Sequence, residues 1–253
     1  MSRPGRELFD RRSRLLWQAG TPEERYGPAA ATAGPGSVAD LGASAAPAGA
    51  PPTKETQQMP LRVQILMYDG VEEQDFIGPR DVLGHAERAG GQVHTTLVRP
   101  SAPGKVTCFF GTEVTVPAAW EPTDTDLLIV PGGGDQLLND PDVLRNLVRA
   151  QQAGVTVAGV CTGVMVLSAA GLTKGRPCTT HHLAKAELAA QGGKVIDARV
   201  VDDGNLVTAG GVTSGIDLTL WMITRECGAS IAVSVESVME YEQRGVVWRS
   251  RSS

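Results

Sequence analysis

The chain has 253 residues, of which 42% are hydrophobic, and its formal net charge at pH 7 is −5. This length is enough for a sizeable core, and the mild acidity leaves no basic stripe to neutralise phosphates, which argues against nucleic acid as a partner. The sequence contains no apolar run of about 18 residues and no signal-peptide core near its start. We therefore expect a cytoplasmic protein without membrane partners.

Residues 1–60 differ in composition from the rest of the chain. They hold half of the 16 prolines and a long Ala/Gly/Pro-rich stretch. Such a segment buries too little apolar surface to offset the entropy of ordering, so the sequence predicts a disordered N-terminal arm. Within it, RELFDRRSRLLWQ fits a short amphipathic helix. A peripheral contact, a targeting role and an incidental solvated segment all stay open for it, and the last is favoured.

From residue 61 onward, strand and helix patterns alternate. Strands are predicted at LRVQILMY, QVHTTLV, TDLLIVP and VTVAGV, a hairpin at GKVTCFFGTEVTVP, and a strand pair at KVIDARVVDDGNLVTAGG. Helices are predicted at GPRDVLGHAERAGG, DPDVLRNLVRAQQAG, TGVMVLSAAGL, HLAKAELAAQGG, SGIDLTLWMITRECG and residues 230–243. This alternation indicates one α/β domain over 61–243, with a mostly parallel sheet covered on both faces and a short tail at 244–253. Functional side chains are then expected at the carboxyl ends of the strands.

The sequence GVCTG places Cys161 between Gly159 and Gly163, where a predicted strand becomes a helix. It is the thiol version of the G-x-S-x-G nucleophile elbow, in which glycines permit a very tight turn. Free amides and the dipole at the start of the helix are expected to favour the thiolate. The N–H of Thr162 is expected to bind a developing anion. The alternative is a small buried cysteine that packs a strand end.

Three other cysteines lie far from this turn and form no C-x-x-C pair: Cys108, Cys178 and Cys227. In a chain of this length, the scatter indicates reduced thiols rather than a disulfide framework. We expect these three to pack as ordinary side chains.

Two loops are predicted at the same edge of the sheet as Cys161. In IVPGGGD, the amides of Gly132 and Gly133 are expected to donate to an anion or a polarised atom of the substrate, although a purely structural turn is the alternative. The loop DGVEEQD, after the first strand, carries Asp75 just before the apolar FIGP, which should turn it inward. A carboxyl group buried beside a thiol would have a raised pKa and could exchange protons with a substrate.

The stretch TTHH adds His181 and His182, each of which is a candidate base or orienting group. Helix capping or packing is an equally good interpretation. Two adjacent histidines without a further ligand do not indicate a metal site, so we expect no metal and no organic cofactor.

The motifs DFIGP, LLIVPGGG, GVCTGVMVLSAAGL, TTHH and VTAGGVTSGIDLTL, in this order, resemble the DJ-1/ThiJ/PfpI superfamily and span essentially residues 61–243. The resemblance implies a flavodoxin-like three-layer sandwich, similar to class I glutamine amidotransferases, and a homodimer. Within the superfamily the chain looks most like the isonitrile hydratase branch. That branch implies hydration of an isonitrile to an N-substituted formamide, with Cys161 as nucleophile, Thr162 as its neighbour and Asp75 as the acid.

Some positions distinguish the branches of this superfamily. Asp75 lies four residues before Pro79, where redox and deglycase-like members usually carry glutamate, and this favours the hydratase branch. Thr162 stands where the protease-like branch has histidine, which argues against a peptidase. His182 departs from the bulky aromatic of hydratase-like sequences. The short stretch after the last helix argues against a fused AraC-type DNA-binding module.

Two other functions stay open on the same residues. One is a glyoxalase or deglycase reaction on small 2-oxoaldehydes, which would use the Cys161 thiol. The other is a non-catalytic sensor in which Cys161 is oxidised. The candidate residues are therefore Cys161, Asp75 and Thr162 for catalysis, with Gly132, Gly133 and His181 for binding a small-molecule substrate.

Overall fold

The computed structural model describes residues 59–250, so the predicted N-terminal arm lies outside the described residues except for its last two positions. The strands are β1 (Leu61–Leu66), β2 (Val93–Arg99), β3 (Gly104–Thr107), β4 (Glu113–Val116), β5 (Ala118–Ala119), β6 (Leu127–Val130), β7 (Thr156–Val160), β8 (Pro177–Cys178), β9 (Lys194–Val195), β10 (Val200–Asp202), β11 (Leu206–Ala209) and β12 (Trp248–Arg249). The helices are α1 (Glu73–Arg88), α2 (Pro141–Gln152), α3 (Gly163–Ala169), α4 (Lys185–Ala190), α5 (Ser214–Cys227) and α6 (Ala229–Met239), with a short 3-10 turn at His182–Ala184.

Eight strands form one sheet in the order β12-β10-β11-β7-β6-β1-β2-β5. Every neighbouring pair is parallel except β10 and β11, which run antiparallel. Counting only β1, β2, β6, β7 and β11 as successive strands gives the order 2-1-3-4-5 of flavodoxin-like sheets. The mostly parallel α/β sandwich predicted from the sequence is therefore confirmed, and so is the antiparallel β3–β4 hairpin.

Helices cover both faces of this sheet. The chain moves from β1 to β2 in one direction and from β6 to β7 in the other, so right-handed crossovers place α1 and α2 on opposite faces. The helices α1, α5 and α6 pack against one another, while α3 packs with α2 and β7. All four residues of β6 are buried, as expected for a central parallel strand that has helices on both sides.

Successive strands are added to the sheet on one side of β1 and then, from β6 onward, on its other side, so the order of the strands reverses between these two parallel neighbours. At such a switch point, the loops after adjacent strands diverge and leave a crevice at the carboxyl edge. The segments that follow β1, β6, β7 and β11 all start at this edge. They carry Asp75, the glycines after Pro131, Cys161 and Val212.

Three boundaries differ from the sequence prediction. The last helix, predicted over 230–243, ends at Met239, where Glu240 adopts a left-handed backbone at φ 48°. The helix α1 begins at Glu73 and contains Pro79, so part of the predicted loop forms its first turn. It begins there because the Glu72 side chain accepts the Asp75 amide at 2.9 Å as an N-cap. The predicted C-terminal tail contains β12, whose Trp248 and Arg249 pair with β10. A two-residue strand is too short to show any periodicity in the sequence.

Among residues 59–250, no helix has both the length and the apolarity that crossing a bilayer requires.

Replacing Gly163 with alanine tests the closeness of α3 to the end of β6. A Cβ atom there would lie 2.1 Å from the Val130 carbonyl oxygen and 2.6 Å from that of Pro131, and both are backbone atoms that cannot yield easily. We expect Gly163→Ala to lower the free energy of unfolding by about 1–3 kcal/mol in urea titrations. The control is Gly84→Ala inside α1, where only the flexible Arg80 side chain approaches within 4 Å. This control should be stabilised by about 0.5–1 kcal/mol, and equal effects of the two changes would contradict the close approach.

Candidate active site

Cys161 occupies the sharp turn between β7 and α3 with a left-handed backbone, at φ 56°. Its own N–H donates to the carbonyl oxygens of Ala209 (3.2 Å) and Gly210 (2.9 Å), just beyond the end of the neighbouring strand β11. Its carbonyl oxygen accepts the Thr180 hydroxyl at 2.7 Å. A non-glycine residue with positive φ is strained, and such strain persists only where surrounding contacts hold it. The predicted elbow is therefore present, and it holds the thiol at 7% exposure.

Asp75 lies in the first turn of α1 and is fully buried. One carboxyl oxygen, Oδ2, accepts the Gly132 amide at 2.9 Å, while Oδ1 has no hydrogen-bond partner among the described N and O atoms. The neighbouring Cys161 side chain and the Gly132 amide both act to lower the pKa of Asp75. Burial, followed by the nearby charge of Glu72, raises the pKa of Asp75 well above its usual value. Asp75 is thus the inward-facing acid that the sequence predicted, and it favours the protonated form.

The Cys161 thiol does not have the lowered pKa that the sequence led us to expect. Burial raises its pKa above the usual range, and the charges of Asp75 and Glu72 act in the same direction. Only the backbone N–H groups of Val212 and Thr162, which hydrogen-bond the sulfur, act to lower it. The expectation of a thiolate at neutral pH was wrong, because desolvation by burial raises the pKa of this thiol by more than the amides at the start of the helix lower it. The helix α3 is also only seven residues long.

The amides of the glycine turn after β6 donate to side chains of the site. The Gly132 amide is already used by Asp75, and the Gly133 amide donates to the Thr162 hydroxyl oxygen at 3.0 Å. A Cβ atom on Gly132 would lie 2.6 Å from both Asp75 Oδ2 and Thr162 Oγ1, so this close approach requires glycine. These two amides therefore orient the acid and the Thr162 side chain in this structure, and their donation to a substrate stays a prediction.

The two histidines of TTHH take different positions. The His181 ring stands against Gly211, where an added Cβ atom would overlap it, and Gly211 immediately precedes Val212. Burial lowers the pKa of His181, so the neutral imidazole is favoured at pH 7. His182 is exposed, and its ring lies tilted against that of His181, with centroids 4.4 Å apart. His181 thus lies at the edge of the site, and its role as a substrate contact stays a prediction.

Glu72, Val212 and Thr180 also belong to the site, although the sequence analysis did not single out their roles. Glu72 was one of four carboxylates in a polar loop, and only the fold shows it capping α1 beside Asp75. Val212 lies in VTAGGVTSG, and nothing in that motif signals its left-handed backbone, at φ 46°. Thr180 lies in TTHH, and nothing in that motif signals its hydrogen bond to the Cys161 carbonyl oxygen.

The remaining cysteines are free thiols, as predicted. Burial raises the pKa of Cys108 and of Cys178 to about 11, which makes both weak nucleophiles near neutral pH. Within residues 59–250, no three or more His, Cys, Asp or Glu side chains group together in a way that could hold a metal ion.

A flavodoxin-like sheet, a strained cysteine elbow and a buried acid at the switch point together define the class of this α/β domain. The chain belongs to the DJ-1/PfpI family, whose sequence model matches residues 61–225. An isonitrile hydratase from Pseudomonas putida is 36% identical over 187 residues, which are 72% of this chain and 79% of that protein. A deglycase from Thermococcus kodakarensis is 31% identical over 172 residues, which are 64% of this chain and 95% of that protein.

Among solved structures, a ThiJ/PfpI family protein from Pseudomonas syringae superimposes with a TM-score of 0.67 at 28% identity. The match covers 79% of this chain and 84% of that one. These comparisons confirm the family and the flavodoxin-like fold inferred from the five sequence motifs.

The buried acid should make stability depend on pH in an unusual direction. Because the folded pKa of Asp75 is raised above the unfolded value of about 3.9, this group favours folding at low pH, and the contribution is lost as the pH rises through the folded pKa. Asp75→Asn removes this loss and keeps an oxygen for the Gly132 amide. We expect the free energy of unfolding of Asp75→Asn, relative to wild type, to increase between pH 4 and pH 7 in denaturant titrations.

Asp126→Asn is the control of opposite sign. Hydrogen bonds from Arg62 lower the pKa of Asp126, so this carboxylate stabilises the fold at neutral pH and does so less as the pH falls below about 4. Asp126→Asn should therefore lower the free energy of unfolding, and this decrease should be largest near neutral pH. If both variants show the same pH trend, Asp75 is not a buried acid of raised pKa.

Proposed function

We propose that this protein hydrates isonitriles to N-substituted formamides. The observation that supports the proposal is the placement of a buried carboxyl group of raised pKa, Asp75, beside the buried Cys161 thiol on its elbow. The similarity to an isonitrile hydratase favours the same reaction. The homodimer and the cytoplasmic location suggested by the sequence stay predictions.

The terminal carbon of an isonitrile must accept both a proton and a nucleophile, so an acid and a thiol in contact suit it well. In the first step, Asp75 gives its proton to this carbon while the Cys161 sulfur bonds to the same atom. The thiol proton passes to the Asp75 carboxylate. The product is a thioimidate, R–N=CH–S–Cys161, and the acid is protonated again.

Water completes the reaction in the second step. The Asp75 carboxyl protonates the imine nitrogen and accepts a proton from the attacking water, which gives R–NH–CH(OH)–S–Cys161. The C–S bond then breaks, the hydroxyl proton passes through Asp75 to the sulfur, and the formamide R–NH–CHO leaves. The amides of Thr162 and Val212 stabilise the sulfur as it leaves with its electron pair. The balance of atoms requires only the isonitrile and water.

A second candidate is a deglycase-type reaction on 2-oxoaldehydes, which the similarity to a deglycase favours. It would use the same thiol as nucleophile and the same carboxyl as proton donor. The two reactions differ in where the proton goes, which is carbon for the isonitrile and oxygen for the aldehyde.

Variants of the pair test the mechanism by formamide release from an alkyl isonitrile. Cys161→Ala and Cys161→Ser should abolish turnover, because no covalent intermediate can form or leave. Asp75→Asn should lower kcat by about 10²–10⁴-fold, the usual contribution of a positioned acid. Cys227→Ser, a half-buried thiol near the C-terminal end of α5, is the matched control and should keep wild-type activity.

Each alternative function gives a different result in the same assay. Turnover of methylglyoxal without turnover of isonitriles would replace the proposal with the deglycase-type reaction. Retained isonitrile hydration in Cys161→Ala would exclude covalent catalysis. If neither substrate reacts, and mild peroxide adds one or two oxygen atoms to Cys161 by intact mass, the sensor function is favoured instead.

A further inference from the structure

The turn between β11 and α5 holds the second strained residue of the site. Val212 has φ 46°, a conformation that β-branched residues rarely adopt because of steric clash. It follows Gly210 and Gly211, either of which would adopt positive φ more easily. The strained backbone conformation is therefore at Val212 and not at either glycine, which indicates that contacts around the turn impose it.

The backbone of this turn contacts Cys161 twice, once at its amide and once at its sulfur. The Gly210 carbonyl oxygen accepts the Cys161 amide at 2.9 Å, and the Val212 N–H hydrogen-bonds the Cys161 sulfur. The direction of the Val212 N–H is set by the left-handed backbone at that residue. A relaxed turn would rotate this donor away from the sulfur.

Arg199, which lies outside the site, hydrogen-bonds both ends of the same turn. Its carbonyl oxygen accepts the Gly210 amide at 3.0 Å, and its Nη2 donates to the Thr213 hydroxyl at 2.8 Å. Its Nε forms an ion pair with Asp217, which is fully buried in the first turns of α5. The guanidinium thus connects the Thr213 end of the turn to α5, while the Arg199 backbone holds the Gly210 end.

Asp217 is fixed in turn by the segment after α6. Its Oδ1 accepts the Tyr241 hydroxyl at 3.0 Å and the Arg244 amide at 2.7 Å. The carboxylate therefore has several donors that hold it rigidly, and a rigid carboxylate fixes the Arg199 guanidinium.

We propose that Arg199 and Asp217 are positioning residues that keep the Val212 amide directed at the Cys161 sulfur. They touch neither the sulfur nor the Asp75 carboxyl, and they act through the Thr213 side chain and the backbone of the turn. This role applies to any electrophile that Cys161 attacks. It therefore does not depend on the proposed isonitrile reaction.

A second arginine supplies a matched control. Arg225 pairs with the nearly buried Asp202 and donates to the Gly204 carbonyl oxygen at 2.9 Å, and its side chain is 21% exposed against 26% for Arg199. It also reaches Thr156, at the start of β7 and so at the opposite end of that strand from Cys161. Replacing Arg225 should destabilise the fold about as much as replacing Arg199, but it should leave the turn between β11 and α5 unchanged.

The experiment measures the alkylation of Cys161 by iodoacetamide against pH, read by mass spectrometry on the peptide that contains this residue. Arg199→Gln and Thr213→Val should lower the rate of alkylation across the rising part of the profile, because an anionic sulfur loses a donor. At pH 8, alkylation should slow by about tenfold for Arg199→Gln and by less for Thr213→Val. The titratable groups around the sulfur are Asp75, Glu72 and Tyr68, with His181 against Gly211, and none of them is altered.

Arg225→Gln should keep the wild-type profile although its free energy of unfolding falls. Thr213→Val changes only an exposed hydroxyl, so it answers the question even if Arg199→Gln folds poorly. The proposal is overturned if Thr213→Val and Arg199→Gln lose stability while the profile stays unchanged, or if Arg225→Gln shifts the profile equally. Because alkylation needs no turnover, this outcome is independent of whether isonitriles are hydrated.

Discussion

The left-handed backbone at Cys161 is the constraint on which the site depends. It sends the chain from the end of β7 directly into α3 and brings the thiol against Asp75, which arrives from α1 after a different strand. The turn fits only because Gly163 packs against the carbonyl groups that follow β6. Hydrogen bonds from both flanking segments, at Gly210 and Thr180, hold the strained peptide in place. The site is thus built by backbone contacts more than by side-chain packing.

Burial sets the protonation of the two reacting groups, and both move in the same direction. A carboxyl and a thiol removed from water each favour their neutral form, and the charge of Asp75 further raises the pKa of the Cys161 thiol. The pair therefore holds protons that it can deliver, at a cost in stability at neutral pH. A thiol with a strongly lowered pKa would suit oxidation or attack on many electrophiles. This pair suits a reaction in which proton transfer and sulfur attack occur together.

The sequence predicts local features of this site well and tertiary ones poorly. The GVCTG turn, the inward Asp75 and the parallel sheet follow from glycine spacing and apolar periodicity, which are properties of short segments. The use of the Gly132 amide by Asp75 joins residues 57 positions apart, and the Arg199–Asp217 ion pair joins two different segments around the turn. No local pattern encodes such pairings. The error over the thiolate has the same origin, because desolvation depends on the whole fold around Cys161.

The hydrogen bonds of the glycine turn also bear on the choice between the two candidate reactions. Attack on an aldehyde generates an alkoxide oxygen, which needs donors beside it. The Gly132 and Gly133 amides are engaged with Asp75 and Thr162, and the Thr162 and Val212 amides are directed at the sulfur. Attack on an isonitrile places a proton on carbon and generates no oxyanion in its first step. The arrangement of donors therefore favours the isonitrile as substrate, because the attack on its carbon requires a proton donor, and the Asp75 carboxyl of raised pKa can act as one.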